Sequence, residues 1–302
     1  MLLDIENHPR KPLESRGGRL WSEAVEITAA WHCNISCQSC SHGSPSMPHR
    51  VADPGDVERD LRHLAERLRV EHVRVLGGEP LVHPDVTEVL RAVRRSGITD
   101  TLRVLTNGLR LADQPATFWS EVDEVHVSVY PNTRKYLGTR REAIIATAAA
   151  SGTRLTFKTF DHFRLSFRAE DHDDHLTEAV YRTCQIANRW RCLTVESGRI
   201  YRCPQSALLG SQHPPYVAAD SLEIEQIEST EVLRRWIERD EPLDSCTRCA
   251  GSVGFRHPHR MSGGRTAEEA SGPEVVDYSY LERLAADPDA DNGCVAVEQN
   301  PT

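Results

Sequence analysis

No apolar run in this chain approaches the length that a membrane-spanning helix needs. That excludes an integral helical membrane protein. The opening stretch Met1–Arg10 lacks the basic segment and apolar core of a secretory signal, so a cytoplasmic protein is expected. Positive charge is also short: the net charge is −9, which argues against nucleic acid as a partner and for a neutral or cationic small molecule. A solvated acidic surface would account for the same number. The rest of the composition is ordinary for a globular protein, and 302 residues suffice for one large α/β domain with a small annex and a real core.

Cysteine is what the chain does have. Nine cysteines without an export signal point to metal or redox chemistry in a reducing compartment. Cys33, Cys37 and Cys40 stand at i, i+4 and i+7 of one stretch, C-N-I-S-C-Q-S-C. Thiolates are soft ligands that select zinc or iron–sulfur clusters. Three so close together can hold three irons of a cubic 4Fe–4S cluster and leave the fourth iron open. A closed zinc site needs a fourth ligand, and a disulfide would leave one thiol over. With this spacing the chain resembles the radical S-adenosylmethionine (SAM) enzymes. The resemblance implies that the open iron takes the amino and carboxylate groups of SAM. An electron from an external one-electron reductant then cleaves it to a 5′-deoxyadenosyl radical.

Along the chain, residues 1–21 read as a polar lead-in arm. Val25 to Trp31 alternates as a first strand and delivers the cysteine loop at its C-terminal end, where α/β folds bind ligands. Asp53 and Pro54 start a helix whose apolar face is Val57, Leu61, Leu64 and Leu68. His72 to Leu76 is a buried-type strand running into Gly77-Gly78-Glu79-Pro80, where two glycines let the backbone approach a ligand closely. A plain glycine-rich turn is the alternative. Asp85 to Ser96 is a second helix stopped by Gly97, and Leu102 to Leu105 a third strand closed by Thr106-Asn107-Gly108. Glu124 to Tyr130 is the fourth strand; Ser128 or Tyr130 can face a cofactor, whereas His126 reads as structural or surface. A helix over Thr139 to Ser151 and a fifth strand over Arg154 to Phe160 complete five alternating units, with room for a sixth. The fold class is α/β, a partial (β/α)6 barrel over residues 22–183. The family resemblance implies that Gly77, Gly78, Glu79, Asn107 and Ser128 bind SAM.

The run A-E-D-H-D-D-H-L-T-E at 169–178 has three readings: a helix start rich in acidic residues, a docking surface for substrate amines, or a metal site. Further on, Cys184, Cys192 and Cys203 frame two short strands around Ser197-Gly198, and Cys246-Thr247-Arg248-Cys249 follows after a short amphipathic helix. This order resembles the Twitch type of auxiliary-cluster domain, placed at 184–260, which implies a second 4Fe–4S cluster; zinc is the plainer alternative. Five thiols exceed the four that a fully ligated cluster needs. Either Cys192 is spare and Cys184, Cys203, Cys246 and Cys249 bind, or Cys184, Cys192, Cys203 and Cys246 bind and Cys249 is free. Spacing mildly favours Cys192 as the spare. Residues 261–302 read as an extension with a disordered tail from Ala285, which would set Cys294 aside.

A free thiol beside a radical site can return a hydrogen to the face opposite its removal and so invert a carbon. In length, Twitch pattern and spare thiol the chain resembles the radical SAM epimerases of aminoglycoside antibiotic pathways. The resemblance implies inversion of one sugar carbon, of the neomycin C to neomycin B kind, with Cys249 as the hydrogen donor and a polycationic substrate held by acidic groups. The alternatives are a radical SAM dehydrogenase of an aminocyclitol or sugar alcohol, and a peptide-modifying maturase. The twenty polar residues before the first strand offer no extra recognition domain for the maturase.

Overall fold

The computed structural model describes residues 12–168, 170–212, 215–262, 275–291 and 293–299. The chain enters through a hairpin of β1 (Glu14–Arg16) and β2 (Arg19–Ala30), turned by Gly17 and Gly18 at φ 59° and 78°. Leu20 is fully buried in it. What reads as a polar arm is thus, from residue 14, the first structured element; residues 1–11 lie outside the described residues.

Four crossovers follow: α1 (Pro54–Ala65) to β3 (Leu68–Gly77), α2 (Val86–Ser96) to β4 (Leu102–Thr106), α3 (Ala116–Glu121) to β5 (Glu124–Val129), and α4 (Arg134–Ser151) to β6 (Arg154–Phe160). Local chemistry sets their ends. The Asp53 carboxylate accepts from the amides of Gly55 and Asp56 at the start of α1, Asp85 does the same for Glu88 in α2, and Gly97 ends α2 in the left-handed region. Leu61, Leu64, Val89, Leu90 and Val93 carry the helices onto the sheet and meet Val73, Val75, Val104 and Val125 in one core. Burying side chains of this kind contributes about 1.5–3 kcal/mol each.

After β7 (His162–Arg164), α5 (Asp174–Thr183) and α6 (Gln185–Asn188), the chain forms β8 (Leu193–Glu196) and β9 (Arg199–Tyr201). It continues through α7 (Pro204–Gln212), α8 (Pro215–Asp220), β10 (Ser221–Glu223), α9 (Thr230–Glu238), β11 (Arg256–Pro258), α10 (Tyr278–Ala286) and β12 (Val295–Gln299). The main sheet runs β10-β9-β8-β2-β3-β4-β5-β6-β12 with β1 on β2, while β7 pairs with β11 alone. Six neighbouring strands, β8 and β2 to β6, are parallel. The sixth strand therefore sits beside the first, not beyond the fifth. The cysteine hairpin at 193–201 continues the barrel sheet, so no break in the sheet accompanies the expected boundary at residue 184.

The free edge of β6 is covered by antiparallel β12, with Val295 opposite Phe160. Tyr280, Leu281 and Leu284 of α10 join Val180, Val253 and Val276 in a second core. The stretch after Ala285 expected to be disordered thus holds a structured strand through residue 299; residues 300–302 lie outside the described residues. Among the described residues no helix is long and apolar enough to cross a membrane.

Candidate active site

Strand β2 ends at Ala30 and hands the chain to the loop of Cys33, Cys37 and Cys40. The loop is shaped by Ser39, a non-glycine residue at φ 57°, and Gly43 at φ 58°. Burial pushes the Cys33 thiol up to about 12, and burial with the neighbouring thiols pushes Cys37 further. A thiolate at either position therefore needs positive charge beside it, which iron provides. The Ser39 hydroxyl is buried with no partner. At the end of β3, Gly77 has φ 137°, and a Cβ at Gly77 or Gly78 would run into the carbonyls of Ala30 or His32. Only glycine fits where these two strand ends close on each other. Three thiols, an orphan hydroxyl and a glycine pair with no room for side chains fit a cluster that carries a small polar ligand.

One cavity of about 340 Å³ opens over these strand ends. Its wall includes Cys33, Cys37 and Cys40, Gly77 and Gly78, Asn107, Ser128 and Tyr130. The Asn107 amide donates to Cys33 Sγ at 3.7 Å and to Asn34 Oδ1 at 2.7 Å, which ties the turn after β4 to the cysteine loop. In the G-G-E-P turn, whose backbone is the part expected to meet SAM, the Glu79 side chain turns into the fold. It is fully buried, does not line the cavity, and accepts from Thr106 Oγ1 (2.6 Å), Asn107 N (2.7 Å) and Leu81 N (3.0 Å). Its side chain braces the glycine pair against the Asn107 turn. Burial holds its carboxyl up at about 7 despite those three donors.

At the other end of the cavity lie Ile186, Gln205, Gly251 and Ser252, each close in sequence to a cysteine of the second set. Cys184, Cys203, Cys246 and Cys249 converge: the charges of Cys184 and Cys203 raise both Cys246 and Cys249, and Cys184 raises Cys203. The Gly251 amide donates to Cys249 Sγ at 3.2 Å, and a Cβ on Gly251 would meet Cys184 Sγ at 3.2 Å. Cys192 stands apart. Its thiol is buried between Glu26 and Arg74, with Arg74 Nη1 at 3.5 Å. The reason lies in strand alternation: Cys192 is two residues before Thr194 and turns to the barrel floor, whereas Cys203 sits where the chain leaves β9 for α7. The structure thus groups Cys249 with the convergent thiols and leaves Cys192 as the separate one, the reverse of the expected assignment. Among the described residues no group of three or more His, Cys, Asp or Glu side chains is gathered tightly enough to hold a single metal ion.

No Asp or Glu among the described residues lines the cavity. The acidic run at 170–178 is a helix start: Asp173 caps α5 by accepting from Leu176 N, and Asp171 pairs with Arg248 at 2.6 Å. Within it His172 is buried, with Nε2 3.2 Å from the Cys249 carbonyl, so it props the second cysteine loop. Three further features had no local signal in the sequence. His259 reaches Cys37 Sγ at 3.2 Å. Cys294, carried in by the strand pairing of β12, lines the cavity. His126, expected to be structural or surface, is held with His72 on the barrel floor, where burial and nearby Arg103 and Arg74 push both rings down to about 3.

Residues 32–148 match the sequence model of the Radical SAM superfamily, and they contain the three loop thiols, Gly77, Gly78, Asn107 and Ser128. Residues 32–148 are therefore a Radical SAM domain. Its cofactors are the 4Fe–4S cluster and SAM of that superfamily. The chain is 28% identical over 144 residues to a probable GTP 3′,8-cyclase of Methanothermobacter marburgensis, covering 46% of this chain and 43% of that protein. It is 37% identical over 84 residues to the GTP 3′,8-cyclase of Pectobacterium atrosepticum, covering 26% and 25%. The chain therefore spans less than half the length of these curated relatives. Among solved structures it is similar to native anSMEcpe with bound AdoMet and Cp18Cys peptide, at TM-score 0.51, 11% identity, and coverage of 88% of this chain and 97% of that one. That likeness is one of fold. The expectation of an aminoglycoside epimerase, with its isomerase activity and antibiotic pathway, is overturned: the matching curated radical SAM proteins carry the name of a GTP cyclase.

Proposed function

We propose that this radical SAM enzyme acts on a small anionic substrate, of the nucleotide class, held between two 4Fe–4S clusters. Cys33, Cys37 and Cys40 hold the first cluster, and Gly77, Gly78, Asn107 and Ser128 hold SAM against it. Cys184, Cys203, Cys246 and Cys249, all within the unit 184–260, hold the second. When bound and reduced by an external one-electron donor, the first cluster and SAM supply a 5′-deoxyadenosyl radical that takes hydrogen from a substrate C–H. The protein's own part is to exclude water and to orient that C–H inside the cavity. Nine cysteines without a disulfide fit the reducing cytoplasm.

The observation that carries the substrate class is the charge of the barrel floor. Lys158 is in register with Ser128 and lies two residues before Phe160, both of which line the cavity, so it shares their face, level with Ser128 and one step deeper than Phe160. No carboxylate among the described residues pairs with it; burial, Arg103 and Arg74 all push its ammonium down. Arg74 and Arg103 are paired with Glu26 and Glu124, which leaves Lys158 as the floor cation without a carboxylate. One uncompensated cation beneath a cavity without carboxylates favours an anion over the polycation expected from net charge. The relatives' printed name supports a nucleotide, since GTP is a polyanion. The test is deoxyadenosine formation by reconstituted enzyme with SAM and reductant, across nucleoside triphosphates, neutral sugars and aminoglycosides. Stimulation by a nucleotide, with deuterium passing from labelled substrate into deoxyadenosine, is the expected result. Stimulation by amino sugars and not by nucleotides would sink the anionic reading.

A further inference from the structure

A segment far outside the radical SAM match closes over the first cysteine loop. Residues 259–262 run antiparallel to residues 36–38: Gln38 N donates to Arg260 O at 2.9 Å, Ser262 N donates to Ser36 O at 2.8 Å, and Cys37 bridges Met261. The hydroxyls of Ser36 and Ser262 meet at 2.6 Å, and the Asn132 amide donates to Met261 Sδ at 3.0 Å. The segment thus adds a short strand to the loop itself. His259 begins it. Its backbone is pinned by the Asp161 carbonyl at 2.8 Å, its ring stacks on Tyr130 at 5.0 Å with planes 13° apart, and Phe163 meets it edge-on at 4.8 Å. So held, the buried imidazole puts Nε2 3.2 Å from Cys37 Sγ.

From this arrangement we infer that His259 is a positioning residue for the first cluster, donating an Nε2–H hydrogen bond to the Cys37 sulfur and thereby raising the cluster's reduction potential. The inference rests on the assignment of Cys33, Cys37 and Cys40 as ligands. The physical argument is that a donor to a ligating sulfur draws electron density from the thiolate, which stabilises the reduced cluster more than the oxidised one. Aromatic faces on two sides keep water from the bond, so it acts in a low local dielectric where such bonds are strong. A ring clamped by Tyr130 and Phe163 has little freedom to leave it. Sequence distance hides the pairing, since 222 residues separate the partners.

The test begins with wild-type protein, holding both clusters and grown with 15N-histidine. Reduced samples are read by pulsed electron paramagnetic resonance on the signal that shifts when SAM is added, because only the cluster with an open iron responds to SAM. A 15N coupling on that signal is expected, and its absence overturns the inference. Next, His259→Phe keeps the ring stack and removes the donor, whereas His259→Gln restores a side-chain N–H. His259→Phe is expected to lower the ratio of reduced to oxidised cluster at fixed potential about tenfold, or ~59 mV for a one-electron couple, with His259→Gln returning toward wild type. An unchanged midpoint in His259→Phe with iron retained overturns the inference. Should His259→Phe fail to hold iron, the wild-type coupling and the His259→Gln midpoint still decide it. Loss of any SAM-responsive signal in the wild type would instead overturn the ligand assignment itself.

Discussion

The Glu79 side chain braces the turn whose backbone the motif marks as the ligand contact. The G-G-E-P stretch is visible in the sequence because glycine pairs mark close backbone approach, but which way the next side chain points depends on Thr106 and Asn107, a strand away. With its carboxyl held at about 7 against an ordinary 4.5, the folded chain keeps a proton between those values that the unfolded chain has lost. Stability therefore falls as pH rises through that window and levels above 7. The shift corresponds to about 3 kcal/mol from this group. Urea unfolding at pH 5.5 and 8 should show the fall in wild type and a much smaller one in Glu79→Gln; equal slopes would remove the assignment. The thiols give a second test at this scale. Wild type should carry about eight irons per chain, Cys192→Ser about eight, and Cys249→Ser about four, read by iron analysis. A full complement in Cys249→Ser would return that residue to the role of free thiol. Counting thiols shows that one is surplus, spacing mildly favours Cys192, and the facing of Cys192 toward Arg74 supports that choice.

At the scale of elements, α1, β3, α2, β4, β5, α4 and β6 follow from the sequence because each is a local pattern: a cap, a 3.6-residue or two-residue period, a glycine stop. By contrast, β1 reads as part of an arm and α3 goes unread. The elements that were not legible depend on distant partners. β8 reads correctly as a strand, yet nothing local says that it pairs with β2. β12 sits in a polar, acidic stretch and becomes a strand only because β6 offers an open edge. The same holds for α10, whose packing depends on Val180 and Val253. The small second core should therefore govern the cavity wall at Cys294 and Val295. Leu281→Ala, at a fully buried site, should cost about 2–5 kcal/mol locally. Hydrogen exchange should show faster opening of β12 and α10 with the amides of β3 and β4 unchanged. Uniform acceleration across all strands would mean that the second core does not unfold independently.

For the molecule as a whole, net charge does not describe the barrel floor. There Lys158 has no carboxylate partner among the described residues, while Arg74 and Arg103 are paired with Glu26 and Glu124. A net charge of −9 is spread over surface carboxylates, many of them paired with arginine, such as Glu58 with Arg95 and Asp289 with Arg189. The barrel floor gathers Arg74, Arg103 and Lys158 where the parallel strands turn the same face inward, and that gathering exists only once the sheet has formed. The activity was misread for a related reason: the thiol count that suggested an epimerase comes from residues beyond 148, outside the matched domain. Lys158 carries the decisive test. Its ammonium is pushed down in the fold, so across that window the unfolded chain holds a proton that the folded chain has given up, and stability rises with pH. Anion affinity must do the opposite, falling as the same proton leaves. Lys158→Met should weaken nucleotide binding about tenfold, the loss of one uncompensated cation beneath the cavity, and should flatten its pH dependence. SAM binding, measured in parallel by calorimetry, should change less, because Lys158 is not among the residues that line the cavity with Gly77, Gly78 and Asn107. A Lys158→Met protein that binds nucleotide as wild type does, with the same pH profile, would show that the floor cations serve only the fold.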